Sequence, residues 1–157
     1  MPQERLDRTD RAIVEALQKN ARLPNKQLAQ LVGLAPSTCL ERVRALVARG
    51  VVRGFHAEID RATLGRALEA IIAVRVRPHS RANVDAFWEY ALSLPEVIEV
   101  FHVTGADDFL VHVGLPDMDA LRDFALDRLT VRPEVAHLET RLIFGREQRA
   151  VLEPLYN

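Results

Sequence analysis

The stretch Asn25–Gly50, reading NKQLAQLVGLAPSTCLERVRALVARG, constrains this chain more than any other. It contains two short amphipathic segments joined by a Gly-containing break. Leu28, Leu31 and Val32 form the apolar stripe of the first; Leu40, Val43, Leu46 and Val47 form that of the second. Gly33 and Gly50 follow the two segments where a left-handed C-cap residue belongs. Asn25 is placed to cap the first segment. Pro36 falls at the first turn of the second, where its missing N–H is no loss. Two helices around a short turn make the helix-turn-helix pattern, whose second helix enters the DNA major groove. A helical hairpin in any bundle shares this periodicity, so the pattern alone leaves both readings open.

The flanks favour the first reading. Asp7 can cap an earlier helix, with Asp10 in its positive first turn and Ile13, Leu17, Ala12 and Ala16 on its buried side. After Gly50 the residues Val51, Val52, Phe55 and Ile59 suggest extended chain, with Gly54 as a turn or bulge. Three helices and a short β segment predict a winged helix-turn-helix over residues 1–60. Residues 60–69 read as a partly helical connector.

From Ala70 the rhythm is strand, helix, strand, strand, helix, strand. Ala70 to Val76 is a strand. Val84, Phe87, Trp88, Ala91 and Leu92 mark a helical stripe, with Trp88 read as core. Val97–Thr104 and Phe109–Val113 are hairpin strands around the turn Gly105–Asp108. Asp117 caps a second helix with Leu121, Phe124, Ala125 and Leu129 inward, and Val135–Phe144 is the last strand. The order βαββαβ predicts a ferredoxin-like unit over 70–157 with both helices on one sheet face, so the fold class is α+β. The strands do not alternate cleanly. Val97, Phe101 and Val103 would share one face while Ile98 and Val100 lie on the other, and Leu110 opposes Phe109, Val111 and Val113. Two apolar faces with helices for only one predict self-association. In the tail Gly145–Asn157, Leu152, Leu155 and Tyr156 suggest a segment that docks on something.

Charge supports two modules. Residues 1–60 carry ten Lys/Arg and seven Asp/Glu, a net +3; residues 61–157 carry eleven and fifteen, a net −4. The single cysteine, Cys39, excludes an internal disulfide, fits a reducing cytoplasm and reads as a small buried residue. The polar start MPQERLDRTD lacks the apolar core of a signal peptide, and no run reaches the length of a membrane span. Among the five histidines no pair has helical metal-ligand spacing. His102 and His112 should fall on opposite faces of the hairpin. With no nucleophile elbow or phosphate loop, the sequence suggests neither an enzyme nor a resident cofactor.

Three strings taken together, LDRTDRAIVEALQKNAR at 6–22, LAQLVGLAPSTCLERVRALVARGVVRGF at 28–55 and VTGADDFLVHV at 103–113, resemble the Lrp/AsnC family of regulators. The resemblance implies a winged helix-turn-helix head on an ACT-like sensing domain. It also implies dimers assembled into tetramers or octamers, and an amino-acid effector bound between dimers near the turn before the third sensing strand. Two residues depart from the family pattern. Ala35 stands where Ser or Thr often caps the recognition helix, and Asp107 stands where an aromatic or other polar residue is usual.

Opposite the stripe of the recognition helix lie Thr38, Glu41 and Ala45, flanked by Ser37, Arg42 and Arg49. Hydroxyls, Glu and Arg are side chains that meet base edges and phosphates, so these are the candidate DNA contacts, with Lys26 and Arg53 as phosphate contacts. Thr104, Gly105, Ala106, Asp107 and Asp108 form the candidate effector site, with Thr140 in the last strand. Exposed turn N–H groups suit a carboxylate and Asp108 an ammonium, the two charges of an amino acid. The expected partners are a palindromic double-stranded operator, a second copy and a small molecule. An architectural DNA-binding protein without effector, and a small-molecule-binding module that does not act on DNA, are the alternatives.

Overall fold

Asp7 begins the first helix, α1 (Arg8–Lys19), by accepting a hydrogen bond from the Asp10 amide at 2.7 Å. Helix α2 (Asn25–Val32) follows after a turn, and α3 (Pro36–Ala48) after Gly33, whose φ of 70° is the left-handed C-cap expected of it. These are elements of a computed structural model that describes residues 5–156; the first four residues of the polar N-terminal run lie outside the described residues. Asn25 does not cap α2. Pro24 holds that position, and the Asn25 side chain instead donates to the Pro36 carbonyl at 2.8 Å, tying the start of α2 to the start of α3. Ala35 caps α3 without a side-chain bond.

The three helices close on Ile13, Leu28, Ala29, Cys39 and Leu46, all buried. Two expected stripes are turned from their predicted positions. Leu31 is 69% exposed and Ala29 is buried in its place. In α3 the buried line is Cys39, Val43 and Leu46, leaving Leu40 and Val47 outward. Residues 53–60 carry no regular secondary structure and pair with no strand among the described residues, so the expected wing has no ladder here. A lone β segment is not stable without a partner.

The connector is a hydrogen-bonded turn begun by Asp60, which accepts from the Thr63 amide at 2.8 Å. Strand β1 (Leu68–Val76), helix α4 (Arg81–Ser93), strands β2 (Val97–His102) and β3 (Phe109–Leu115), helix α5 (Met118–Phe124) and strand β4 (Val135–Leu142) follow. Ser80 and Asp117 cap α4 and α5, and a single π turn extends α5 to Leu129. The four strands are ordered β2-β3-β1-β4, with each pair antiparallel, which is the ferredoxin-like arrangement. Ala70, Ile72, Val74 and Val76 of β1 and Phe109, Val111 and Val113 of β3 pack on Phe87 and Ala91 of α4 and on Leu121, Phe124 and Leu129. Trp88, expected in the core, is half exposed at its margin, 6.2 Å from the Phe109 ring.

In β2 the expected faces are corrected by a bulge between Val97 and Glu99. The extra residue puts Val97 and Val100 on the same, helix-covered side and Phe101 on the other. The open face therefore carries Ile71, Ala73, Leu110 and Phe101.

The chain divides into two units, one running to Glu58 and resuming at Glu147, the other Ile59–Arg146. The boundaries expected from sequence, 1–60 and 70–157, differ from this chiefly at the far end, where the tail joins the first unit.

Candidate DNA-binding face and sensing turn

Residues one helical turn apart along α3 line up in rows, and the buried row fixes the exposed one. With Cys39, Val43 and Leu46 inward, Ser37, Thr38, Glu41 and Ala45 are exposed on the outward side, as expected. Arg44, overlooked in the sequence, stands with them, one turn from Glu41 and two from Ser37, and is exposed. The signal was present: Ser37, Glu41 and Arg44 are spaced i, i+4, i+7.

Arg42 is not on that row. Three residues after Cys39 and four before Leu46, it borders the buried line and turns toward α1. Its guanidinium bonds Asp7 at 2.7 Å and Asp10 at 2.8 Å. Hydrogen bonding from the Asp10 amide, and then from Arg42, holds the Asp7 carboxyl below its ordinary pKa. The bonds to Asp7 and then Asp10 raise that of Arg42. Arg49 also reaches the buried Asp10, at 3.4 Å. Arg42, expected at a base edge or phosphate, is here engaged within the head: the same charge clamps α3 to α1, because Asp10 sits 7% exposed and requires a partner. Lys26 is exposed in the first turn of α2, and Arg53 is exposed after α3. The Cys39 thiol is buried, which pushes its pKa up and makes it unreactive.

The sensing turn is built from the end of β1. The Asp108 amide donates to the Val74 carbonyl at 2.9 Å and its carboxylate accepts from the Val76 amide at 2.7 Å. Arg77 and His79 each stand 3.2 Å from the same carboxylate. Arg75 donates to the Ala106 carbonyl at 2.7 Å and lies 3.8 Å from Asp107. Thr104, Gly105 and Ala106 are exposed, and Gly105 has a φ of 123° that a side chain would strain. Asp108, expected to take an ammonium, here fastens the hairpin to β1. Thr140 pairs with Ile72 on β4, at the opposite side of β1 from β3, so one chain does not bring it to the turn.

Two polar groupings were not foreseen. On the open sheet face the buried His112 meets Glu69 at 2.6 Å, and Arg61 bonds the same carboxylate. His102 stacks on Phe109 across the sheet, so the two hairpin histidines do lie on opposite faces. At the start of β2, Arg66 donates to the Glu96 carbonyl at 3.0 Å, and one Glu96 carboxylate oxygen is buried without a partner among the described residues. No described cluster of His, Cys, Asp or Glu has the arrangement of a metal site, and no described helix is long and apolar enough to cross a membrane.

A helix-turn-helix with a polar outward face, followed by a βαββαβ unit, defines a DNA-binding protein carrying a separate ligand-binding module. Comparison with known proteins makes that class specific. Residues 69–150 match the family described as the Lrp/AsnC ligand binding domain, and residues 6–53 match a winged helix-turn-helix DNA-binding family. The HTH-type transcriptional regulator AldR of Mycolicibacterium smegmatis is 42% identical over 88% of this chain and 81% of its own length. The transcriptional regulator AzlB of Bacillus subtilis is 32% identical over 96% of both. A transcriptional regulator of Neisseria meningitidis, solved as a complex with L-Met, superposes with a TM-score of 0.88 at 32% identity, covering 96% of this chain and 97% of that one. This chain belongs to the Lrp/AsnC family of transcriptional regulators, with a DNA-binding head and a ligand-binding unit.

Proposed function

We propose that the protein is a cytoplasmic, homo-oligomeric regulator that reads a palindromic operator with α3 and changes its DNA affinity when an amino acid binds its sensing unit. The observation that carries this reading is the sheet face without helices. Ile71, Leu110 and the 41%-exposed Phe101 form an apolar surface there. Apposing two such faces forms an isologous dimer, and a dimer presents two heads to two half-sites about one helical turn apart, or a multiple. DNA contact falls to Ser37, Thr38, Glu41 and Arg44, with Lys26 and Arg53 toward phosphates. The effector pocket is assigned to Thr104–Asp107, with Thr140 supplied by an adjacent copy. The complex of the Neisseria meningitidis regulator with L-Met supports an amino acid as the ligand class.

A thermal-shift screen against the twenty amino acids, then a gel shift with any hit on the DNA upstream of the coding sequence, tests the reading. A stabilising amino acid that changes DNA affinity is expected. Stabilisation without any DNA shift would sink it. Sedimentation of the wild type and of Phe101→Asp tests the interface. The wild type should sediment as a dimer or larger at micromolar concentration, and the variant should dissociate.

A further inference from the structure

The last stretch of the chain returns to the head. The Tyr156 hydroxyl accepts a hydrogen bond from the Leu6 amide at 3.1 Å, across 150 residues of sequence. The guanidinium of Arg11 lies over the Tyr156 ring, 5.1 Å from its centroid. Gln18 grips the Leu152 backbone at both groups: its Nε2 donates to the carbonyl at 3.2 Å, and its Oε1 accepts from the amide at 2.8 Å. Tail, α1 and residues 51–56 enclose a cleft of about 740 Å³. Of the three residues expected to dock, Leu152 and Leu155 are 67% and 102% exposed, and Tyr156 makes the contact. The attachment uses an aromatic ring and backbone polar groups instead.

We propose that residues 147–156 are a latch: docked on α1, they give the DNA-binding head a second connection to the sensing unit. The chain passes between the two units twice, before Ile59 and after Arg146. The two crossings leave the sensing unit side by side, where the Ile143 amide donates to the Glu69 carbonyl at 3.0 Å. A head on a single connector can swivel about it, and a second strand beside the first opposes that rotation. Only four residues separate the end of β4 at Leu142 from the start of the tail at Glu147. A change at β4 therefore reaches α1 by a short path that bypasses the connector at 59–67. Each contact is individually weak because it is at least partly exposed, so the latch can open. Tethering keeps the local tail concentration high enough to reclose it.

The test uses the full-length protein, a truncation after Arg146, and Gln18→Ala. Gln30 is exposed on α2 and Cys39 is fully buried. A dye on Gln30→Cys therefore reports head motion by time-resolved fluorescence anisotropy. Truncation is expected to add a fast depolarising component, to speed amide hydrogen exchange over Leu6–Ile13, and to lower the head's melting temperature by about 5 °C. Gln18→Ala should fall between. Faster exchange at α1 with an unchanged anisotropy decay would overturn the latch and leave the tail a local brace of the helix. Unchanged exchange would show that the tail does not dock. Neither readout uses DNA or an effector, so failure of the proposed regulatory function would be seen separately.

Discussion

The head and the sensing unit each contain a charged residue whose type suits a ligand and which the fold engages with partners of its own. In the head it is Arg42, bonded to Asp7 and Asp10. In the sensing unit it is Asp108, held by the Val76 amide, Arg77 and His79. The consequences differ because the supporting structures differ. A helix repeats, so when Arg42 turns inward, Arg44 stands on the outward row with Ser37 and Glu41. A turn does not repeat. With Asp108 engaged, the turn keeps the exposed backbone of Thr104–Ala106 and an Asp107 side chain that is largely covered.

The largest expected effect separates a peg from a ligand contact. Asp108→Ala removes the partner of the Val76 amide, Arg77 and His79, and should destabilise the sensing unit by about 2 kcal/mol in urea unfolding. Unchanged stability with loss of effector binding would restore Asp108 as a direct contact. In the head, Arg44→Ala should weaken operator binding by about 1–2 kcal/mol and leave the melting temperature unchanged, measured by fluorescence anisotropy and calorimetry. Arg42→Ala should do the reverse, lowering the melting temperature with little loss of affinity once the head is folded. If the two exchange roles, the outward row has been assigned wrongly.

Asp7→Ala removes the α1 cap and one arm of the clamp, and should destabilise the head by about 1 kcal/mol. Its contribution depends on pH. The folded state holds the Asp7 pKa below the unfolded value of about 3.9, so the carboxylate stabilises the head above that pH. The contribution is lost as pH falls through the lower, folded value. Acid titration of head stability should show this loss near and below pH 4 in the wild type, and Asp7→Asn should flatten it. The smallest effect is a gain. Ala35→Ser adds an acceptor at an extended N-cap, and should stabilise the head by about 0.5–1 kcal/mol.

The parts legible in the sequence were those governed by neighbours within one turn. Asp7 and Asp117 cap their helices, Pro36 opens α3 and Gly33 ends α2, because capping joins residues a few positions apart. Periodicity likewise placed both core clusters and the βαββαβ order. It was less secure where two apolar rows were nearly equivalent. Leu40 and Val47 competed with Cys39 for the inside of α3, and packing against Ile13 and Leu28 selected Cys39. In β2 one bulged residue exchanged the faces of the strand, which alternation cannot foresee.

By itself, then, the sequence determined the elements, their order, the family and the outward helix face to within one row. Only the tertiary structure decided which charges remain available. Arg42 and Asp7 are 35 residues apart, Asp108 and Val76 are 32, and Tyr156 and Leu6 are 150. Local rules act through bonds that close within a helical turn, whereas a buried carboxylate takes whichever cation the fold brings to it. The chain's helix-turn-helix is written in its periodicity; the clamp that holds it, and the tail fastened to its first helix, exist only once distant segments meet.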